Sequence, residues 1–171
     1  SDDLIGRHAQ RRITDAAAAA DPISELAARR SGYIPGDTDL AWARLTPWRS
    51  VLASIFDQDV AEVLGIVVSG ERSNPSIPLI AAWLGTALAT PVEIRLDEGP
   101  GLTSVALTTP SGPIAIHRPD GRVATLSRPG VPDSTVALAR RDLAALLSEE
   151  LRRLDPDDCY AHTLAALGIA P

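Results

Sequence analysis

The sequence predicts an α+β (mixed α/β) domain: one βαβ unit plus an antiparallel meander in a mixed sheet of five or six strands, packed with helices. Three observations carry that expectation. Residues 63–96 read as strand, helix and strand, a βαβ unit that is parallel and right-handed by default. Residues 102–138 hold four short segments separated by Pro- and Gly-containing turns, the pattern of a meander. After residue 140, leucines step at helical spacing.

Size and composition bound the rest. A chain of 171 residues fits one ordinary domain, or one domain with an appended arm. With 45% hydrophobic and 22% charged residues it is neither a disordered chain nor a disulfide scaffold. Its formal net charge of −6 makes it a poor partner for nucleic acid, where phosphate neutralisation supplies non-specific affinity. All 16 basic residues are Arg, which removes Schiff-base and P-loop lysine chemistry. Cys159 is the single cysteine, so there is no intrachain disulfide and no Cys-based metal spacing; a reducing cytoplasm is the expected home. No apolar run approaches the ~20 residues of a membrane span. The absence of Met points to a processed start or a fragment of a longer polypeptide.

Residues 1–36 read as an N-terminal helical arm or linker, and residues 37–171 as the domain. Within the arm, residues 4–20 are weakly helical on an Ala-rich face. Asp21-Pro22 restarts a helix with Asp as N-cap and Glu25 in the first turn, ending near Ser31-Gly32. Trp42, Leu45, Trp48, Leu52 and Ile55 mark one helical face across residues 39–56. Pro47 interrupts it, and Thr46 is expected to cap a second helix that starts at Pro47. Residues 63–69 are a β-branched strand, 70–74 a turn, and Asn74-Pro75 opens a helix to Leu88, with Pro78 tolerated in its first turn. Residues 92–96 form the second strand.

The meander is expected over residues 102–108, 113–118, 122–128 and 134–138, turning at Pro-containing sequences such as Pro119-Asp120-Gly121. Leu143, Leu147, Leu151 and Leu154 are expected to face the core from the next helix, with Glu149 and Arg153 pairing outside. Asp155 is expected to cap a last helix that buries Tyr160, Leu164 and Leu167 and ends at Gly168.

No catalytic signature emerges, and no catalytic, cofactor-binding or metal-ligating residue is assigned. His8, His117 and His162 have no metal partner at useful spacing, and HExxH, GxSxG and P-loop motifs are absent. Two local features remain. The turn at Arg72, Ser73 and Asn74 follows a strand and precedes a helix N-terminus, a place where backbone N–H groups bind anions. It supports an alternative function as an anion- or sugar-phosphate-binding regulatory domain, although Asn74 as a plain helix cap explains it too. Trp42, Trp48, Arg44 and Arg49 have the composition of an interface hot spot if one Trp stays partly exposed at the helix break; otherwise they are core.

The run from Gly36 to Arg49, with Asp39, Trp42, Arg44, Thr46-Pro47, Trp48 and Arg49, resembles the signature of the OpcA family, the glucose-6-phosphate dehydrogenase assembly proteins, in their actinobacterial branch. Arg11-Arg12-Ile13-Thr14-Asp15, Ser73-Asn74-Pro75 with Ala82-Trp83-Leu84, Ala124-Thr125-Leu126-Ser127-Arg128, Ala139-Arg140-Arg141 and the stretch from Glu150 to Asp155 with Tyr160 are similar to further family segments, in order. The resemblance implies the family's C-terminal domain without its N-terminal α/β domain. It implies a non-catalytic partner that binds glucose-6-phosphate dehydrogenase and promotes its active form, as an allosteric activator, in the oxidative pentose phosphate pathway. NADP and glucose 6-phosphate would belong to the enzyme. Asp39, Trp42, Arg44, Trp48 and Arg49 are then the motif positions for docking or for fold. Cys159 does not match the thiol arrangement that tunes some cyanobacterial relatives.

Overall fold

The computed structural model describes residues 6–56, 62–153 and 155–168. Leu4, where the first helical stretch is expected to begin, and Leu154 lie outside them.

Residues 6–20 of the arm hold no α-helix. Single 3-10 turns at Gly6–His8 and Ala16–Ala18 flank strand β1 (Ile13–Thr14), which pairs in parallel with β2 (Thr38–Asp39). The helix expected over residues 4–20 does not form in the described part. Asp15 takes the Ala17 N–H and Asp39 the Ala16 N–H, so carboxylates claim the groups a helix would use. Helix α1 (Pro22–Ser31) follows as expected, with the Asp21 side chain accepting from the Ser24 N–H at 3.1 Å. Ala16 and Leu26 lie in the same core cluster as the sheet residues.

The break at Pro47 is present. Helix α2 is a single turn (Leu40–Ala43) and α3 runs Thr46–Phe56. Thr46 is the first helical residue rather than the cap, and Pro47 is the second, where its missing N–H costs no hydrogen bond.

The βαβ unit is β3 (Gly65–Glu71), α4 (Ser76–Leu88) and β4 (Val92–Asp97), with β3 and β4 parallel. The meander follows as β5 (Leu102–Thr109), β6 (Gly112–His117), β7 (Val123–Arg128) and β8 (Val131–Ala137), all antiparallel. The six strands lie in the order β4-β3-β5-β6-β7-β8. Register stacks Ile66, Leu107 and Ile114 on one face, and beside them Val68, Val105, Ile116 and Leu126. These side chains are buried, while Val67, Ala106 and Ala115 on the opposite face are half-buried. Alternation with period 2 thus gives the sheet a core face and a wetter face.

The last two helices differ from expectation in detail. Helix α5 (Leu143–Arg152) turns Leu146 and Glu150 inward, while Leu143 and Leu151 are exposed, Leu151 by 68%. The expected Leu143/Leu147/Leu151 face is therefore rotated. Arg11 from the arm pairs with Glu150 at 2.7 Å and makes a buried carboxylate tolerable there. The Glu149–Arg153 pair forms, at 3.7 Å. Helix α6 (Asp158–Ala165) is capped by Asp157, not Asp155. Asp157 accepts from the Tyr160 N–H at 2.8 Å and also from Trp42 Nε1 at 2.9 Å, a tertiary partner that settles the choice of cap. Tyr160, Leu164 and Leu167 are buried as expected.

Tyr160 packs against Trp42, with ring centroids 5.9 Å apart, and lies near the charges of Asp39 and Asp37. Burial first, and those carboxylates second, push its phenol pKa far above the ordinary value. An unfolded tyrosine ionises near pH 10, so above that pH the unfolded chain sheds a proton that the folded chain keeps. Tyr160 therefore contributes fully below about pH 10 and opposes folding by about 1.4 kcal/mol per further pH unit. Urea unfolding at pH 8 and pH 11 is expected to show Tyr160→Phe losing less stability on alkalinisation than the parent. Equal losses would contradict this.

Candidate functional site

The signature run lies inside the molecule. Asp39 has no exposed surface. Its carboxylate accepts from the Thr14 hydroxyl at 2.7 Å, the Ala16 N–H at 3.0 Å and the Ala41 N–H at 2.9 Å, joining the arm to the start of α2. Trp42 is 0% and Trp48 2% exposed, so the partly exposed indole that a hot spot requires is not there. Both rings fill the core beneath the helix break. The Arg49 guanidinium carbon sits 3.8 Å from the centroid of the Trp42 ring, and burial lowers its pKa. Arg44 forms a two-pronged pair with Asp15, at 2.6 and 2.8 Å, which raises its pKa. Each of these residues engages a partner within the chain, and Arg49, which donates to the Thr46 hydroxyl at 3.3 Å, keeps a buried Nε without one.

At the expected anion turn, Arg72 and Ser73 are exposed, and Ser73 takes a positive φ of 64°. Pro75 is the N-cap of α4 and makes no side-chain cap bond; Asn74 precedes it, its Oδ1 accepting from the Ser76 N–H at 3.0 Å. Its amide nitrogen donates to Glu71 at 3.4 Å. Of the three turn residues only Asn74 lines the cavity beside it, a space of about 60 Å³.

That cavity is walled by arginines from distant parts of the chain: Arg44, Arg118, Arg140 and Arg141. Arg44 and Arg141 are paired, with Asp15 and Glu149. Arg118 is different. It is 5% exposed and donates to two carbonyls, Leu138 at 2.6 Å and Leu102 at 2.8 Å. Its guanidinium lies 5.0 Å from the Trp48 ring centroid, its Nε has no hydrogen-bond partner, and no described carboxylate pairs with it. Burial first, and the neighbouring Arg140 charge second, lower its pKa, outweighing the opposing pull of Asp120. Arg140 is exposed and, among the described residues, its side chain makes no hydrogen bond or ion pair. Its backbone N–H is held by the Gly121 carbonyl at 2.9 Å.

The sequence singles out neither Arg118 nor Arg140 as a site: Arg118 falls at the end of the 113–118 segment and Arg140 within the family-like stretch Ala139-Arg140-Arg141. A signal for Arg118 exists: Ile114, Ile116 and Arg118 share one parity, so the strand aims Arg118 at the core face. No comparable signal marks Arg140, whose position depends on the Gly121 turn. Cys159 is exposed, and no group of three or more His, Cys, Asp or Glu among the described residues is placed to hold a metal. No described helix is long and apolar enough to cross a membrane.

The geometry is that of a mixed-sheet α+β domain with a buried Trp/Arg/Asp node and an arginine-walled cavity. The sequence profile that describes the C-terminal domain of the glucose-6-phosphate dehydrogenase subunit, the OpcA type, matches residues 35–164, and the chain belongs to that family. No curated protein sequence matches the chain. Among solved structures it is similar to KijD10, a 3-ketoreductase from Actinomadura kijaniata, in its open conformation in complex with TDP-benzene and NADP. That likeness has 12% identity and a TM-score of 0.53, covering 96% of this chain and 69% of that one. Two single-residue variants of the same reductase align at 11% identity with TM-scores of 0.50 and 0.51, covering 92% and 94% of this chain and 67% and 69% of theirs. At that identity the reductase likeness describes the fold alone.

The Asp39 carboxylate serves three donors from two segments, so its removal leaves buried N–H groups without partners. Asp39→Ala is expected to cost about 3 kcal/mol in urea unfolding, and Asp39→Asn, which keeps one acceptor oxygen, about half of that. A cost below about 1 kcal/mol for Asp39→Ala would contradict the joining role.

Proposed function

We propose that this domain is a non-catalytic partner of glucose-6-phosphate dehydrogenase that binds the enzyme in the cytoplasm and promotes its active form. The observation that carries the reading is the family profile over residues 35–164, whose description is that of a subunit of that enzyme. Promotion has a thermodynamic requirement. The domain binds the active enzyme state more tightly than the inactive one, and the difference in binding free energy sets the size of the effect, about 1.4 kcal/mol per tenfold shift in population. Because the two indoles of the signature are buried, the contact falls on other, exposed residues, and substitutions inside the signature act through stability.

Titration into the dehydrogenase of the same source, following NADPH formation while sizing the mixture, tests this reading. A stoichiometric complex with a rise in rate is expected. A complex without a rate change would contradict the promoting role. Absence of any complex would contradict the partner role as well.

A further inference from the structure

We propose that the cavity between the β5 start, the α4 N-terminus and the Arg140 loop is a binding site for a phosphoryl group, carried by a small phosphomonoester or by inorganic phosphate. The inference is independent of the dehydrogenase reading.

Three donors border the cavity beside Gly101. Gly101 has a φ of 68°, and a Cβ built on it would meet Arg118 Nη2 at 3.6 Å, Asn74 Nδ2 at 3.8 Å and Arg140 Nε at 3.9 Å. Glycine keeps this part of the wall free of a side chain, so the three nitrogens stay uncovered on the cavity side, and a positive φ suits glycine there. All three atoms are nitrogens that donate. The Asn74 assignment follows from its oxygen accepting the Ser76 N–H.

Charge points the same way. Two of the four wall arginines are neutralised by carboxylates; Arg118 and Arg140 are not. Two carboxylates lie nearby, hydrogen-bonded to neutral N–H groups, against the four arginines of the wall. Glu71 accepts from the Gly101 N–H at 3.0 Å and from Asn74, which orients the amide, and Asp120 accepts from the Arg122 and Val123 N–H groups. Burying a guanidinium with an unpartnered Nε beside a second guanidinium is costly, and a bound dianion relieves both the desolvation and the repulsion. In a chain of net charge −6 this concentration of positive charge is local and specific.

Size permits the class: the cavity, about 60 Å³, exceeds the roughly 10–15 Å³ that a single water needs. Arg118 is fixed by two carbonyls and by the Trp48 ring, whereas Arg140 is exposed and free to close over an anion. The pair combines a rigid floor with an adjustable clamp.

Calorimetric titration of the 171-residue chain with inorganic phosphate, and separately with a hexose 6-phosphate, tests the site. Saturable binding is expected, weakened about tenfold or more by Arg140→Gln, a surface substitution that leaves the core intact, and unchanged by Arg72→Ala. Tighter binding of the sugar phosphate would assign the ligand as a phosphomonoester; equal binding would assign the phosphoryl group alone. Absence of saturation by either probe up to about 10 mM would overturn the proposal. So would full affinity in Arg140→Gln, or equal loss in Arg72→Ala. A rise in Tm with phosphate that Arg140→Gln abolishes gives a second readout.

Discussion

Asp39 is the constraint on which the rest of the structure depends. A carboxylate with no exposed surface must have its lone pairs occupied, and here the donors come from residues 14, 16 and 41. One side chain thereby stops the arm from coiling into a helix and pairs β1 with β2. It also starts the single turn of α2 at a defined point. That turn then has to place Trp42, whose ring lies between Arg49 and Tyr160 and whose N–H reaches Asp157, the cap of α6. Arm, signature run and last helix are consequently one cooperative node.

The same node shapes the cavity. The break between α2 and α3 brings Trp48 under Arg118, and Ser76 at the head of α4 donates its hydroxyl to the Ala41 carbonyl at 2.9 Å. The α4 N-terminus is therefore held against α2, with Asn74 beside the end of β3. Arg118 enters from the end of β6 on the core-facing side, and the turn at Gly121 delivers Arg140. Arg44, Arg118 and the adjacent Arg140 and Arg141 arrive on three segments, and only Arg44 and Arg141 find carboxylates. Stability alone does not call for Arg118 without a carboxylate, since a buried cation without a counterion costs free energy.

Much of the architecture is legible in the sequence because it rests on local chemistry. The βαβ unit, the meander and the break at Pro47 follow from β-branched runs, Pro- and Gly-containing turns and helical spacing. The misreadings share a cause: a distant partner overrides the local preference. Residues 4–20 have the composition of a weak helix, but the Asp39 side chain, over twenty positions away, takes a backbone N–H. The leucine spacing of α5 hides the inward Glu150, because its partner is Arg11. Asp155 and Asp157 are equally good caps on paper, and Trp42 decides between them. Asn74 stands out locally as a cap beside a turn, whereas its neighbours across the cavity, Arg118 and Arg140, come from over 40 residues further on. The Trp/Arg composition of the signature fits a docking surface and a buried stack equally well, and burial decides for the stack.

The residues that mark the family build the core, and under the proposed function the contact with the dehydrogenase falls on other, exposed residues. Hydrogen–deuterium exchange of this chain, alone and in complex with the dehydrogenase, tests that separation most directly. Amides of residues 40–52 are expected to exchange only through global unfolding in the free chain and to gain no further protection in the complex beyond what whole-domain stabilisation supplies. Fast exchange of this run in the free chain, followed by selective protection on binding, would make the signature the docking surface and contradict the account.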